Sequence, residues 1–212
     1  MTRTDWVAWH AQYEDEGSVL TRRLRAVQRA IRAFLAEHPG RSLRVLSACA
    51  GEGRDLIEVL AADPGAAARV TARLVELDPA LAARAREAVA AHGLTGIEVV
   101  EADAGSADAY AGAVPADLLL FCGVFGNVSD ADVEGTIRAL PQLCAPGAGL
   151  IWTRRLHPPE VIGRMRAWLD ETGFARHSFE APDGVRWTVG AERLTAGPAE
   201  LEPGRRLFTF VR

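Results

Sequence analysis

Four residues of this chain combine a chemistry with a spacing: Gly51 and Gly53 in "LRVLSACAGEGRD", Glu76 in "LVELDP" and Asp103 in "VVEADAGS". Glycines let a backbone approach a ligand closely and accept special dihedrals. A carboxylate can accept both hydroxyls of a ribose in charge-assisted hydrogen bonds. A second carboxylate, or the amides beside it, can meet the amino edge of adenine. Such residues do this only if the chain brings them to one place.

The elements that would position them alternate. Strands are expected at 43–48, 72–77, 97–101, 116–122 and 148–153, and helices at 53–62, 79–92, 130–143 and 159–172. Asp78 before Pro79 is a helix cap with proline in the first turn, and Ser129 with Asp132 forms a capping box. Repeated strand–helix units require a mostly parallel sheet with helices on both faces. Gly51 and Gly53 then follow the first strand, Glu76 ends the second and Asp103 follows the third. These strand ends line one edge of the crevice where ligands of doubly wound sheets bind.

Upstream, Leu20, Leu24, Val27, Ile31 and Phe34 make one helical stripe over 18–38, capped by Ser18 and stopped by "HPG". Trp6, Trp9 and Tyr13 belong to a short helix or ordered arm before it. Downstream, 174–181 and 205–212 both read as strands with no helix between them, so they should pair antiparallel; a short strand is expected at 185–189. The fold class is therefore α/β: a Rossmann-like, doubly wound, mostly parallel sheet with an antiparallel C-terminal strand, plus an N-terminal helical arm. One domain is expected, with the arm at 1–40, a core at 41–156 and a C-terminal helix and strand pair at 157–212.

At 212 residues, 49% hydrophobic and 25% charged, the composition is that of an ordinary soluble domain. A net charge of -4 gives no electrostatic footprint for nucleic acid. No apolar stretch is long enough for a membrane span or resembles a signal peptide. Cys49, Cys122 and Cys144 form no CxxC pair and read as separate buried thiols, which fits the cytoplasm; no metal is expected.

The turn is not a P-loop, since GxxxxGK[ST] is absent. For a dinucleotide fingerprint, Leu56 stands where close helix packing wants Gly or Ala. The order "VLSACAGEGRD", "LVELDPALAARAR", "VVEADAGS", "ADLLLFCGVFGN", "GAGLIWTRR" instead resembles the class I S-adenosylmethionine-dependent methyltransferase family over roughly residues 42–156. That family has an acid and then three glycines at alternate positions after the first strand. Here the positions read Ser47, Cys49, Gly51 and Gly53.

The resemblance implies that Cys49, Ala50, Gly51 and Gly53 cradle the methionine part of the cofactor S-adenosylmethionine, whose product is S-adenosylhomocysteine. It assigns Glu76 to the ribose, Leu77 to the adenine face, Asp103 and Ala104 to the adenine edge, and Phe121, Cys122 and Gly123 to the floor near the transferred methyl. On the arm, His10 and Tyr13 can close over the cofactor and Arg22 can pair with its carboxylate. Asp55, in a first helical turn where the dipole favours an acid in any case, can reach a cofactor ammonium.

His157 in "TRRLHPPE" is the candidate base, against a role in shaping the turn into Pro158 and Pro159. Phe121 stands before Cys122 where the family's RNA cytosine methyltransferases have proline, which argues against a nucleophilic thiol. The implied reaction is direct methyl transfer to a small-molecule acceptor, with nucleic acid disfavoured. Two other readings stay open: the fold with repurposed or lost chemistry, as a binding or partner subunit, and a nicotinamide oxidoreductase.

Overall fold

The computed structural model describes Tyr13, Asp15, residues 17–156 and residues 159–211. Trp6, Trp9, His10 and His157 lie outside the described residues. The first helix, α1 (Val19–Ala36), starts where the Ser18 hydroxyl accepts the Thr21 amide at 3.0 Å. Its stripe buries Val27, Ile31 and Phe34, while Leu24 stays half-buried in the wall of a cavity. A fully buried aliphatic side chain contributes roughly 1.5–3 kcal/mol, so this stripe fixes the helix to the sheet.

Seven strands follow: β1 (Leu43–Ala48), β2 (Val70–Glu76), β3 (Ile97–Glu101), β4 (Ala116–Phe121), β5 (Cys144–Arg155), β6 (Phe174–Glu180) and β7 (Trp187–Leu194). They form one sheet in the order β3-β2-β1-β4-β5-β7-β6. Neighbours pair in parallel except at β7, which runs antiparallel to both β5 and β6. Between the strands lie α2 (Arg54–Ala61), α3 (Pro64–Ala67), α4 (Pro79–Ala91), α5 (Asp130–Ala139) and α6 (Pro159–Glu171). The architecture is the Rossmann-like, doubly wound sheet expected.

The central strand β4 (ADLLLF) is almost wholly buried because both faces of the sheet are covered there. In β4, Leu118 and Leu120 pack into the cluster that holds the buried residues of α1 and α2. Leu119 and Phe121 pack into the cluster that holds those of α5 and α6. Asp78 caps α4 by accepting the Ala80 and Leu81 amides at 2.9 and 3.2 Å, and Ser129 caps α5 by accepting the Asp132 amide at 3.1 Å. Helix α5 stops at Ala139 rather than 143, and the chain tightens into a 3-10 turn at Leu140–Leu143 around Pro141.

The tail departs from expectation. The antiparallel partner of β6 is β7, Trp187–Leu194, not 205–212. The short strand expected at 185–189 is the start of β7, and two features disguised the rest of it. Its burial on both faces removes polar alternation, and it carries Gly190 and Glu192. Gly190 packs so close to Trp152 that a Cβ would lie 2.2 Å from the indole, and the Glu192 carboxylate is buried against Trp152 Nε1 at 3.3 Å and Arg166 Nη1 at 3.4 Å. Residues 205–211 instead run across the carboxyl edge of the sheet as a strap, bridged at Ser106–Arg206 and Val128–Phe210 and anchored by buried Leu207 and Phe208.

Candidate functional site

The strand order reverses between β1 and β4, and the carboxyl ends of the strands around this point surround a cavity of about 350 Å³. That volume falls within the range of small-molecule sites. Its floor begins at the turn after β1. Cys49, Gly51 and Gly53 all have left-handed φ values, of 53, 59 and 70°. Cys49 is the one non-glycine residue among the described residues with positive φ. Alternate left-handed residues explain the alternate glycine pattern: the backbone needs glycine geometry at each, and Cys49 adopts it with a Cβ. Gly53 has a second constraint, since a Cβ would lie 2.5 Å from Leu74 Cδ2.

Glu76, at the end of β2, holds this turn. Its Oε2 accepts the Gly51 amide at 2.7 Å and its Oε1 accepts the Asp78 amide at 2.8 Å. The side chain is buried, and burial raises its pKa despite these hydrogen bonds. Each oxygen retains a lone pair, so the carboxylate can still receive a pair of ligand hydroxyls. Asp103, past β3, accepts the Gly105 amide at 2.8 Å through Oδ1 and Arg206 Nη1 at 2.7 Å through Oδ2.

The α1 side of the cavity carries a second group of polar residues. Half-buried Asp55 accepts the Leu56 amide at 2.8 Å, yet burial pushes its carboxyl up to about 6. Arg23 donates to the Tyr13 hydroxyl at 3.2 Å, and the Arg54 guanidinium lies 5.8 Å from the Tyr13 ring centroid. Glu52, between the two glycines, ties the turn to α4 through Arg84 at 2.9 Å and to Arg54 at 2.6 Å.

The far side is built by the loop after β4 and the end of β5. The Gly123 amide donates to Thr153 Oγ1 at 2.9 Å, and Asn127 Nδ2 donates to the Gly123 carbonyl at 2.6 Å. Burial pushes the thiols of Cys49 and Cys122 well above their usual range, so both stay protonated and unreactive.

Of the residues singled out from sequence, Tyr13, Cys49, Ala50, Asp55, Glu76, Leu77, Asp103, Ala104, Cys122 and Gly123 line this one cavity. Gly51 and Gly53 shape its floor from behind, and fully buried Phe121 stacks on Phe125 with ring centroids 5.9 Å apart. Arg22 is exposed on α1 and does not line the cavity; its neighbour Arg23 does. Thr153 and the strap with Arg206, Phe208 and Phe210 were not anticipated. Arg154 and Arg155, expected beyond the end of β5, belong to it.

A family model described as "Putative methyltransferase" matches residues 19–169. The chain belongs to this methyltransferase family. No curated protein matches the sequence. Among solved structures, the chain resembles a possible exported protein from Bordetella parapertussis, with TM-score 0.65 and 21% identity over 84% of this chain and 68% of that one. It also resembles an O-methyltransferase family protein from Burkholderia thailandensis, with TM-score 0.62 and 18% identity, covering 82% of this chain and 57% of that protein's length. A third is an rRNA methylase from Streptococcus thermophilus, with TM-score 0.60 and 14% identity over 79% of this chain and 95% of that one. At these identities the likeness is one of fold. Among the described residues, no helix of this family member is long and apolar enough to cross a membrane.

Proposed function

We propose that the protein transfers a methyl group from S-adenosylmethionine to a small-molecule acceptor. The observation that carries this reading is the shared cavity. The left-handed turn at 49–53, the buried Glu76 at the end of β2 and Asp103 past β3 all meet at the point where the strand order reverses. The donor set suits the cofactor: Glu76 has free lone pairs for ribose hydroxyls, Asp103 offers an acceptor for the adenine amino group, and Leu77, Leu81, Ala104 and Phe208 give an apolar bed. Asp55 would take the ammonium and Arg23, in place of Arg22, the carboxylate. When bound, the cofactor supplies a methyl group already activated by the sulfonium charge.

The protein's own contribution is then alignment and exclusion of water. Correct positioning of two reactants can account for about 7–11 kcal/mol of a barrier. Tyr13, Leu24 and Val27 wall the cavity on one side and the strap at 206–210 on the other, which keeps solvent from the reacting centre. Asn127 and Thr153 fix the loop after β4 that faces the acceptor. A general base is needed only where the nucleophile must lose a proton, and adds about a hundredfold to ten-thousandfold. His157 remains the proposed base.

The unpaired thiols Cys49, Cys122 and Cys144 support a reducing, cytoplasmic setting, and the absence of a basic excess supports a small acceptor over nucleic acid. One observation favours a second reading, a subunit that has lost the chemistry: Cys49 puts a side chain on a turn whose geometry suits glycine. Calorimetric titration with S-adenosylmethionine, S-adenosylhomocysteine and NADH separates these. Micromolar binding of both sulfur ligands, lost in Glu76→Ala, is the expected result. Binding of neither selects the second reading, and binding of NADH alone selects an oxidoreductase.

A further inference from the structure

The acids of the cavity are sorted by position, while its arginines stand on both sides: Arg54 and Arg206 pair with Glu52 and Asp103, and Arg154 and Arg155 lie at the other end. The acids, Glu52, Asp55, Glu76 and Asp103, come from the turn after β1, the start of α2, and the ends of β2 and β3. Among the described residues none comes from the other end, where β5 runs three residues past its last pair with β4, Phe121–Trp152. That overhang is Thr153, Arg154 and Arg155, and all three line the cavity.

The two arginines are in different states. The Arg154 side chain is 9% exposed; it donates to the Phe125 carbonyl and lies 3.4 Å from Asp130 Oδ1, while its buried Nε has no partner. Asp130 is also held by Arg164 at 2.6 Å, so one carboxylate serves two guanidiniums. Arg155 is exposed at the cavity, and its side chain forms no hydrogen bond or ion pair with any described residue. This corner therefore carries uncompensated positive charge, and Arg155 has all its donors available. A guanidinium is suited to planar, bidentate recognition of a carboxylate or phosphate.

We infer that the acceptor carries an anionic group, a carboxylate or a phosphate, which Arg155 binds at the end of β5 with Arg154 supplying field from behind. This rests on the methyltransferase reading, which places the cofactor on the acidic half and so leaves the β4–β5 half for the acceptor. The sorting also orients the substrate: an anion held at Arg155 cannot approach the acids at the opposite edge without repulsion.

The test uses the full chain saturated with S-adenosylhomocysteine, so that the cofactor's own carboxylate site is filled. Benzoate, phenyl phosphate and benzyl alcohol are titrated against it and followed by ligand-observed NMR. The expected result is that one anionic probe binds roughly tenfold or more tightly than the alcohol, the size of one charge-assisted contact. Which of the two anions binds better identifies the group. Arg155→Gln should abolish the preference, and Arg155→Lys should restore part of it, with affinity for S-adenosylhomocysteine unchanged in both. Equal binding of the three probes, no binding by any of them up to the solubility limit, or a preference that survives Arg155→Gln overturns the inference. Failure of S-adenosylhomocysteine to bind overturns the methyltransferase reading instead, and the same three probes on the unloaded protein then decide the anion preference by itself.

Discussion

The Glu76 carboxylate accepts the Gly51 amide at 2.7 Å, so the acid at the end of β2 and the glycine turn after β1 are a single structural unit. Glu76→Ala removes the acceptor for both Gly51 and Asp78, and a buried amide left unpaired costs about 1–3 kcal/mol. A drop in melting temperature of roughly 2–4 °C per kcal/mol is expected at this chain length. Affinity for S-adenosylhomocysteine should fall about tenfold to a hundredfold in the same variant. Glu76→Gln, which keeps one acceptor oxygen, should lose less of both. Thermal denaturation beside calorimetry separates the two effects; an alanine variant that melts and binds like the parent would show that the pairing carries neither.

Asp55 gives a pH dependence with a definite sign. Its carboxyl is raised from 3.8 to about 6, so the folded chain holds this proton where the unfolded chain has released it. Its contribution to stability is full below the unfolded value and is lost as pH rises through about 6. For a ligand whose ammonium meets Asp55, the direction reverses, because binding favours the carboxylate and expels the proton. Affinity for S-adenosylhomocysteine should therefore rise by roughly tenfold between about pH 5 and pH 7 and then level off. Asp55→Asn should bind weakly with a flat profile. Calorimetry at several pH values, in buffers of different ionisation heat, reads both the slope and the proton released.

Cys49, at φ 53°, bears a side chain in a region that disfavours one. A left-handed residue with a Cβ costs about 1–2 kcal/mol, and glycine's added freedom in the unfolded chain returns roughly 0.4–1 kcal/mol of that. Cys49→Gly should thus leave the melting temperature within a few degrees of the parent and bind S-adenosylhomocysteine at least as well. Cys49→Val, β-branched in the same conformation, should be destabilised by about 2 kcal/mol or more. A valine variant as stable as the parent would exclude the left-handed conformation.

The strap is held by burial more than by its ion pair. Phe208 is 2% exposed, and truncating such a side chain costs about 3–5 kcal/mol. The Arg206–Asp103 pair is 51% and 43% exposed, and pairs of that kind are worth under about 1 kcal/mol. Phe208→Ala should unfold several degrees early in denaturant or heat. Arg206→Ala should barely move the transition, yet alter cofactor affinity by releasing the Asp103 carboxylate. The opposite ranking of the two in denaturation would show the strap to be held electrostatically.

The parts of the site that sequence reveals are those in which conformation restricts residue type. A left-handed turn asks for glycine, and two of its positions have it. A strand end beside the crevice asks for an acid, as at Glu76. Asp78 could be set aside for the ribose because its cap and Pro79 explain it, and the cap is what the structure shows. What stayed hidden depends on rotation and length. Arg22 and Arg23 differ by one step of about 100° around a helix, which periodicity resolves only loosely. The end of β5 was set two residues short, so Arg154 and Arg155 read as loop rather than as the end of the strand. Strand β7 was expected only over 185–189, and its continuation was obscured by Gly190 and Glu192, whose reasons lie in Trp152 and Arg166, far away in sequence.

Tyr13 precedes α1 and Phe210 follows β7, and both belong to the wall of the same cavity. During synthesis the sheet from β1 to β5 can pair as it leaves the ribosome, but the wall remains open until residues 206–210 have emerged. The nascent chain can thus acquire its fold well before its binding site. Emergence of residues 206–210, rather than formation of the sheet, then sets the moment at which the protein can first hold a ligand.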